Sequence, residues 1–161
     1  MIPPGFFVYK VHTPEGERNY VTLLPPERVQ AKGLPAEAIV GLLAREPAKG
    51  EPITPGVFEQ NPAFVRLLHT VIAENGPAES GLQAAARRRG EWCVSVIDGR
   101  TPDPAGRVPP EDILGSFEVR KGIVAPESYQ PNAKHRILSD RGFFRLDRSL
   151  HQRLLESMQE L

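Results

Sequence analysis

The clearest periodicity in the chain lies in NPAFVRLLHTVIAENG, residues 61–76, where Phe64, Leu67, Leu68, Val71 and Ile72 recur at three- and four-residue spacing along one helical stripe. Asn61 is placed to cap the free amides, Pro62 fits the first helical position, and Gly76 closes the far end. A second helix is predicted from about Pro77 to Arg89, with Gly90 ending it. A third follows Asp147, where Leu150, Leu154, Leu155, Met158 and Leu161 share one side of RSLHQRLLESMQEL. A shorter helix is predicted from Pro35 to Arg45, on Pro35 and the spacing of Ile39, Leu42 and Leu43.

Strand patterns occupy the rest. FFVYKVH and RNYVTLL flank TPEGE as a β-hairpin, with Gly16 at a positive-φ position. EWCVSVI is the strongest single strand and is followed by an Asp98-Gly99 turn. LGSFEVR, a turn at Lys121-Gly122, and IVA form the next hairpin, and HRIL and FFRL form another around Ser-Asp-Arg-Gly. Residues 46–60 are dense in Pro and Gly and read as a loop. Strands, helices, strands and a last helix, without regular alternation, predict one α+β domain spanning residues 1–161. A mainly antiparallel sheet drawing on both ends of the chain would be covered by two or more amphipathic helices, those starting at Asn61 and Asp147. A subdivision would fall near Gly90, but neither half carries enough apolar surface to stand alone.

Composition narrows the classes of function. A chain of 161 residues can bury roughly two-thirds of the surface it exposes when unfolded, so no metal or disulfide is needed to hold it. Twenty basic residues balance twenty acidic ones, so no long-range field draws it to nucleic acid or to an anionic membrane. No apolar run approaches the ~20 residues of a spanning helix. MIPPGFFVYK lacks the basic and apolar regions of a secretory signal, and a soluble, cytoplasmic protein is expected. Cys93, the sole cysteine, permits neither an intrachain disulfide nor a thiolate metal cluster, and reads as a buried, inert thiol.

Candidate chemistry is sparse. The chain has no GxxxxGK[ST], no GxGxxG and no HExxH, and its four histidines are far apart, so no cofactor or metal is expected. His69 falls at the margin of the helical stripe, where a ring nitrogen bonded to backbone is the plain expectation and a general base the functional one. Ser95 and Ser116 fall in strands, outside any GxSxG turn. Asp98, Asp103, Glu111 and Asp112 surround the Pro-rich loop and read as solvated acids, the last two in the first turn of a short helix. Arg87, Arg88 and Arg89 suit a helix C-terminus.

The leading expectation is a non-catalytic binding or assembly protein that works through protein contacts. Its partner would be another chain or a second copy, paired at the edge formed by residues 135–146 and ending in Phe143 and Phe144. One alternative is an anion- or phosphate-binding surface built from Arg100, His135, Arg136 and Arg141. Another is a small enzyme with His69 or His135 as acid or base near Asp98 or Cys93.

Overall fold

The computed structural model describes residues 2–102 and 107–161. Four helices and several antiparallel sheets make an α+β fold. Its strands are β1 (Phe7–Thr13), β2 (Gly16–Thr22), β3 (Ile39–Leu43), β4 (Phe58–Gln60), β5 (Trp92–Ile97), β6 (Ile113–Arg120), β7 (Ile123–Val124), β8 (Gln130–Pro131), β9 (Leu138–Ser139) and β10 (Gly142–Phe143). Its helices are α1 (Pro26–Lys32), α2 (Pro62–Asn75), α3 (Ser80–Arg89) and α4 (Arg148–Gln159). Two compact units result, one of Met1–Leu67, Ile137–Phe143 and Leu155–Leu161, the other of Leu68–Arg136 and Phe144–Leu154.

The first unit holds a sheet of order β1-β2-β3-β4. Its opening hairpin turns in two residues, Pro14 and Glu15, and Gly16 takes φ +117° as its position requires. Here the structure corrects the predicted helix at 35–45. Only one 3-10 turn forms, Ala36–Ala38, and the chain then enters β3. Ile39, Val40, Leu42 and Leu43 are a short apolar run with β-branched residues, and such a run fits a buried strand as well as a helical stripe. Gly41 tips the balance, because a Cβ there would lie 2.3 Å from the Phe58 ring and 2.5 Å from the Glu59 carbonyl of β4. The loop expected at 46–60 accordingly ends in a strand. Asn61 caps α2 as predicted, accepting from the Ala63 amide at 3.3 Å, and its side-chain amide also donates to the carbonyls of Ala36 and Ile39, both at 2.8 Å.

The second unit has its own sheet, β5-β6-β7, with β8 also on β6. The strands after Gly90 therefore do not extend the N-terminal hairpin into one sheet. The Lys121-Gly122 turn takes φ +53° and +74°, as a tight hairpin demands. α3 packs against β5 and β7, and Leu82 and Ala86 of α3, Leu68 and Ile72 of α2, and Val96, Phe117, Val119 and Val124 of the strands are all buried. The Phe117 ring lies 2.5 Å from where a Cβ on Gly76 would be. Asp147 accepts from the Leu150 amide at 2.8 Å and starts α4 where the sequence places it.

The predicted hairpin at HRIL and FFRL shrinks to β9 and β10, two residues each. Phe143 and Phe144 are buried, so the open aromatic edge expected there does not form. No described helix is long and apolar enough to cross a membrane.

Candidate functional site

Immediately after β5 the chain turns through Asp98, Gly99 and Arg100, and the turn is built on the Asp98 carboxylate. Its Oδ1 accepts from the amides of Arg100 and Arg145, both at 3.0 Å, and its Oδ2 accepts from the Arg100 guanidinium and from His135 Nε2, both at 2.9 Å. Burial works against ionisation of Asp98. The hydrogen bonds from His135 and the Arg100 amide, the Arg100 charge and the Arg145 amide outweigh it and hold the carboxyl below the usual carboxylate range. A carboxylate can only accept, so Nε2 of His135 carries its proton toward Asp98. The 3.3 Å approach of Arg100 Nη2 to that nitrogen is then a contact between two donors sharing one oxygen.

Arg100 also reaches a second acid. Its Nε lies 3.3 Å from Asp112 Oδ1, and Nη2 donates to the carbonyls of Arg136 at 2.7 Å and Glu111 at 3.2 Å. Thr101 donates its hydroxyl to Asp112 Oδ2 at 2.6 Å, and the Asp98 amide donates to the Asp112 carbonyl at 2.7 Å. Asp98 and Asp112 are wholly buried. This corrects the expectation of solvated loop acids for that pair; Glu111 is half-buried in the predicted short helical turn, and Asp103 lies outside the described residues. The four charged side chains fasten the end of β5 to the start of β6 and to residues 135–136 and 145. All four are at least nine-tenths buried.

A second polar pair lies between α2 and the segment before β8. His69 Nδ1 is 2.7 Å from the Tyr129 hydroxyl, which donates to the Leu114 carbonyl at 3.2 Å. The network closes with a neutral His69 donating from Nδ1, so the ring bonds a side chain and not the backbone as the sequence suggests. Burial, with His135 as the smaller cause, lowers the His69 pKa from 6.5 to about 4. Burial also raises that of Tyr129.

The sign of the consequence is fixed. Between pH 6.5 and about 4 the unfolded chain takes up a proton at His69 that the folded chain does not, so stability is fully present above that window and is lost as pH falls through it. Discounted for partial exposure, the contribution is about 1–2 kcal/mol. Urea titrations at a series of pH values should show this decline in the parent chain and a shallower one in His69→Gln. Superimposable pH profiles would refute the assignment.

The exposed feature of this unit is its edge. β5 is six residues long, pairs with β6 on one side, and has no strand on the other among the described residues. The remaining edges are short or blunted: β4 has three residues, β7 and β8 have two each, β8 contains Pro131, and β1 projects Lys10 toward Glu17 and Glu46. β5 carries neither charge nor proline between Trp92 and Ile97. A groove of about 470 Å³ runs beside it, lined by Ser95, Val96 and Ile97 of the strand, by Leu82, Ala85 and Arg88 of α3, and at its far end by Gly99, Thr101, Leu146 and Asp147. The Asp98 and Asp112 bonds thus set the groove's end wall through Gly99 and Thr101.

No protein-family model, curated protein or solved structure matches the chain.

The residues singled out in the sequence fall as follows. Arg100 and His135 meet on Asp98, while Arg136 supplies its carbonyl to Arg100 and leaves its own side chain exposed. Arg141 is exposed in the β9–β10 turn of the other unit. Cys93 is half-buried, not enclosed as expected, and Ser95 is exposed on the groove. Arg87, Arg88 and Arg89 end α3 in solvent, as predicted. β5 is legible in the sequence as a strand but not as an edge; its lack of charge is the one local signal of that.

Proposed function

We propose that this chain is a non-catalytic protein-binding module that captures an extended segment of a partner along the free edge of β5. The observation carrying this reading is the conjunction of an uncharged six-residue edge strand, with no strand on its outer side among the described residues, and a largely apolar groove beside its second half, Ser95 to Ile97. Such an edge presents a row of backbone donors and acceptors that an incoming strand can pair, and the groove receives alternate side chains of that strand. The buried charges at Asp98, Arg100, Asp112 and His135 serve it by holding one end of β5 in place.

Selection from a library of displayed random peptides provides the test. Binders should be rich in alternating β-branched residues and should move the amide resonances of Val94 to Ile97. Ala85→Trp, which fills the groove from α3, should weaken them by about ten-fold or more through lost apolar contact. Binders that leave the β5 resonances untouched, or that ignore Ala85→Trp, would count against capture at this edge.

A further inference from the structure

The two ends of β5 differ in charge, and the groove lies beside its Ile97 half. At the Trp92 end, the α3 C-terminus and the β6–β7 turn are brought together by the Gly122 amide, which donates to the Gly90 carbonyl at 2.7 Å. Arg87, Arg88, Arg89 and Lys121 are exposed there with Glu91, whose carboxylate accepts from the Lys121 amide at 3.3 Å, while Arg120 is paired with Glu118. These five residues, four cations and one carboxylate, make a basic cluster in a chain whose net charge is zero. Trp92 stands among them, 73% exposed, with φ +80°, a conformation bulky residues rarely adopt. The Arg89 guanidinium lies over its ring, 4.7 Å from the centroid. Backbone strain and an exposed aromatic occur together where the edge strand begins.

Resting on the strand-capture reading, we infer that the captured segment is an acidic stretch of another protein: alternate apolar side chains enter the groove beside Ser95 to Ile97, and a cluster of Asp or Glu lies beyond it, at the Trp92 end of β5, against Arg88, Arg89 and Lys121. Charge decides against a second copy of this chain. An antiparallel copy would bring its own Ile97 end to Trp92, and there Glu79 and Asp147 are committed to capping α3 and α4 while Arg145 and Arg148 are exposed. An acidic segment supplies free carboxylates, which the described residues at that end of a copy do not offer, and rim charges of this kind set selectivity and salt dependence.

Trp92 is the only tryptophan, so its fluorescence reports from the site itself. The probes are two synthetic peptides alternating valine and threonine, one ending in three glutamates and the other in three lysines. The glutamate peptide should shift Trp92 emission at low salt and bind about ten-fold or more tightly than the lysine peptide, and the preference should fade above about 0.5 M salt. Arg88→Glu combined with Lys121→Glu should erase or invert it. Equal affinities, or a preference for lysine, would overturn the acidic assignment while leaving strand capture in place, provided both peptides move the Val94–Ile97 amides. Failure of both peptides to move those amides would overturn capture as well. A concentration-dependent Trp92 shift with a doubling of mass in the absence of peptide would give the edge to a second copy and overturn the inference.

Discussion

Asp98→Ala is expected to lower the unfolding free energy by about 3–5 kcal/mol, because it breaks a buried ion pair from one side and leaves the other charge in place. Asp98 is wholly buried and accepts from two side chains and two backbone amides, so alanine strands the Arg100 guanidinium beside Asp112 and frees the amides of Arg100 and Arg145. Arg100→Met should also be strongly destabilising, for the opposite reason: two buried carboxylates then lose their shared cation. The double variant should cost less than the sum of the singles by about 1 kcal/mol or more, the signature of groups that act on each other. Urea denaturation of the four proteins supplies the cycle. A single-variant loss below about 1 kcal/mol, within the range of exposed pairs, would mean that these charges are not what fastens the end of β5.

Phe117→Ala is expected to cost a comparable amount, about 3–5 kcal/mol, for a different reason. The ring is fully buried on β6, and its removal leaves a cavity that its surroundings can fill only partly. Its packing partner is unusual, since the space a Cβ of Gly76 would occupy is already filled by the ring at 2.5–2.6 Å. Gly76→Ala should therefore be destabilising by about 1–3 kcal/mol in the parent chain, through overpacking. In the Phe117→Ala background the same substitution should be close to neutral, because the atom it collides with is gone. Thermal or urea unfolding of the pair would decide, and additive losses would show that the two positions do not share this space.

The local part of the fold is legible in the sequence, and the non-local part is not. α2 and α4 can be read because a cap residue and an apolar stripe coincide, at Asn61 with Phe64 to Ile72 and at Asp147 with Leu150 to Met158. α1 escapes the same test, since none of its residues is buried and no stripe marks it. β3 is misread because its apolar spacing suits two periods, and only the approach of Phe58, seventeen positions beyond Gly41, settles which applies. Burial of Asp98 depends on His135, thirty-seven residues away, so nothing in its neighbourhood distinguishes it from a solvated turn acid. The sequence directs the expected partner edge to Phe143 and Phe144, which are core residues. Conversely Trp92, apolar in type, is among the most exposed large residues described, because the chain enters β5 there through a positive φ.

Strand pairing has a signature no other mode of binding shares: side chains of the bound segment alternate between two faces with a period of two. Cys93, the only cysteine and a residue of β5, is placed to read it. A set of valine-threonine peptides ending in glutamates, each with one cysteine at a successive position, should be trapped as disulfides with Cys93 under mild oxidation at every second position, with yields peaking at one register. Uniform trapping along the peptide, or none at any position under conditions where the peptide shifts Trp92, would contradict capture of a strand at this edge.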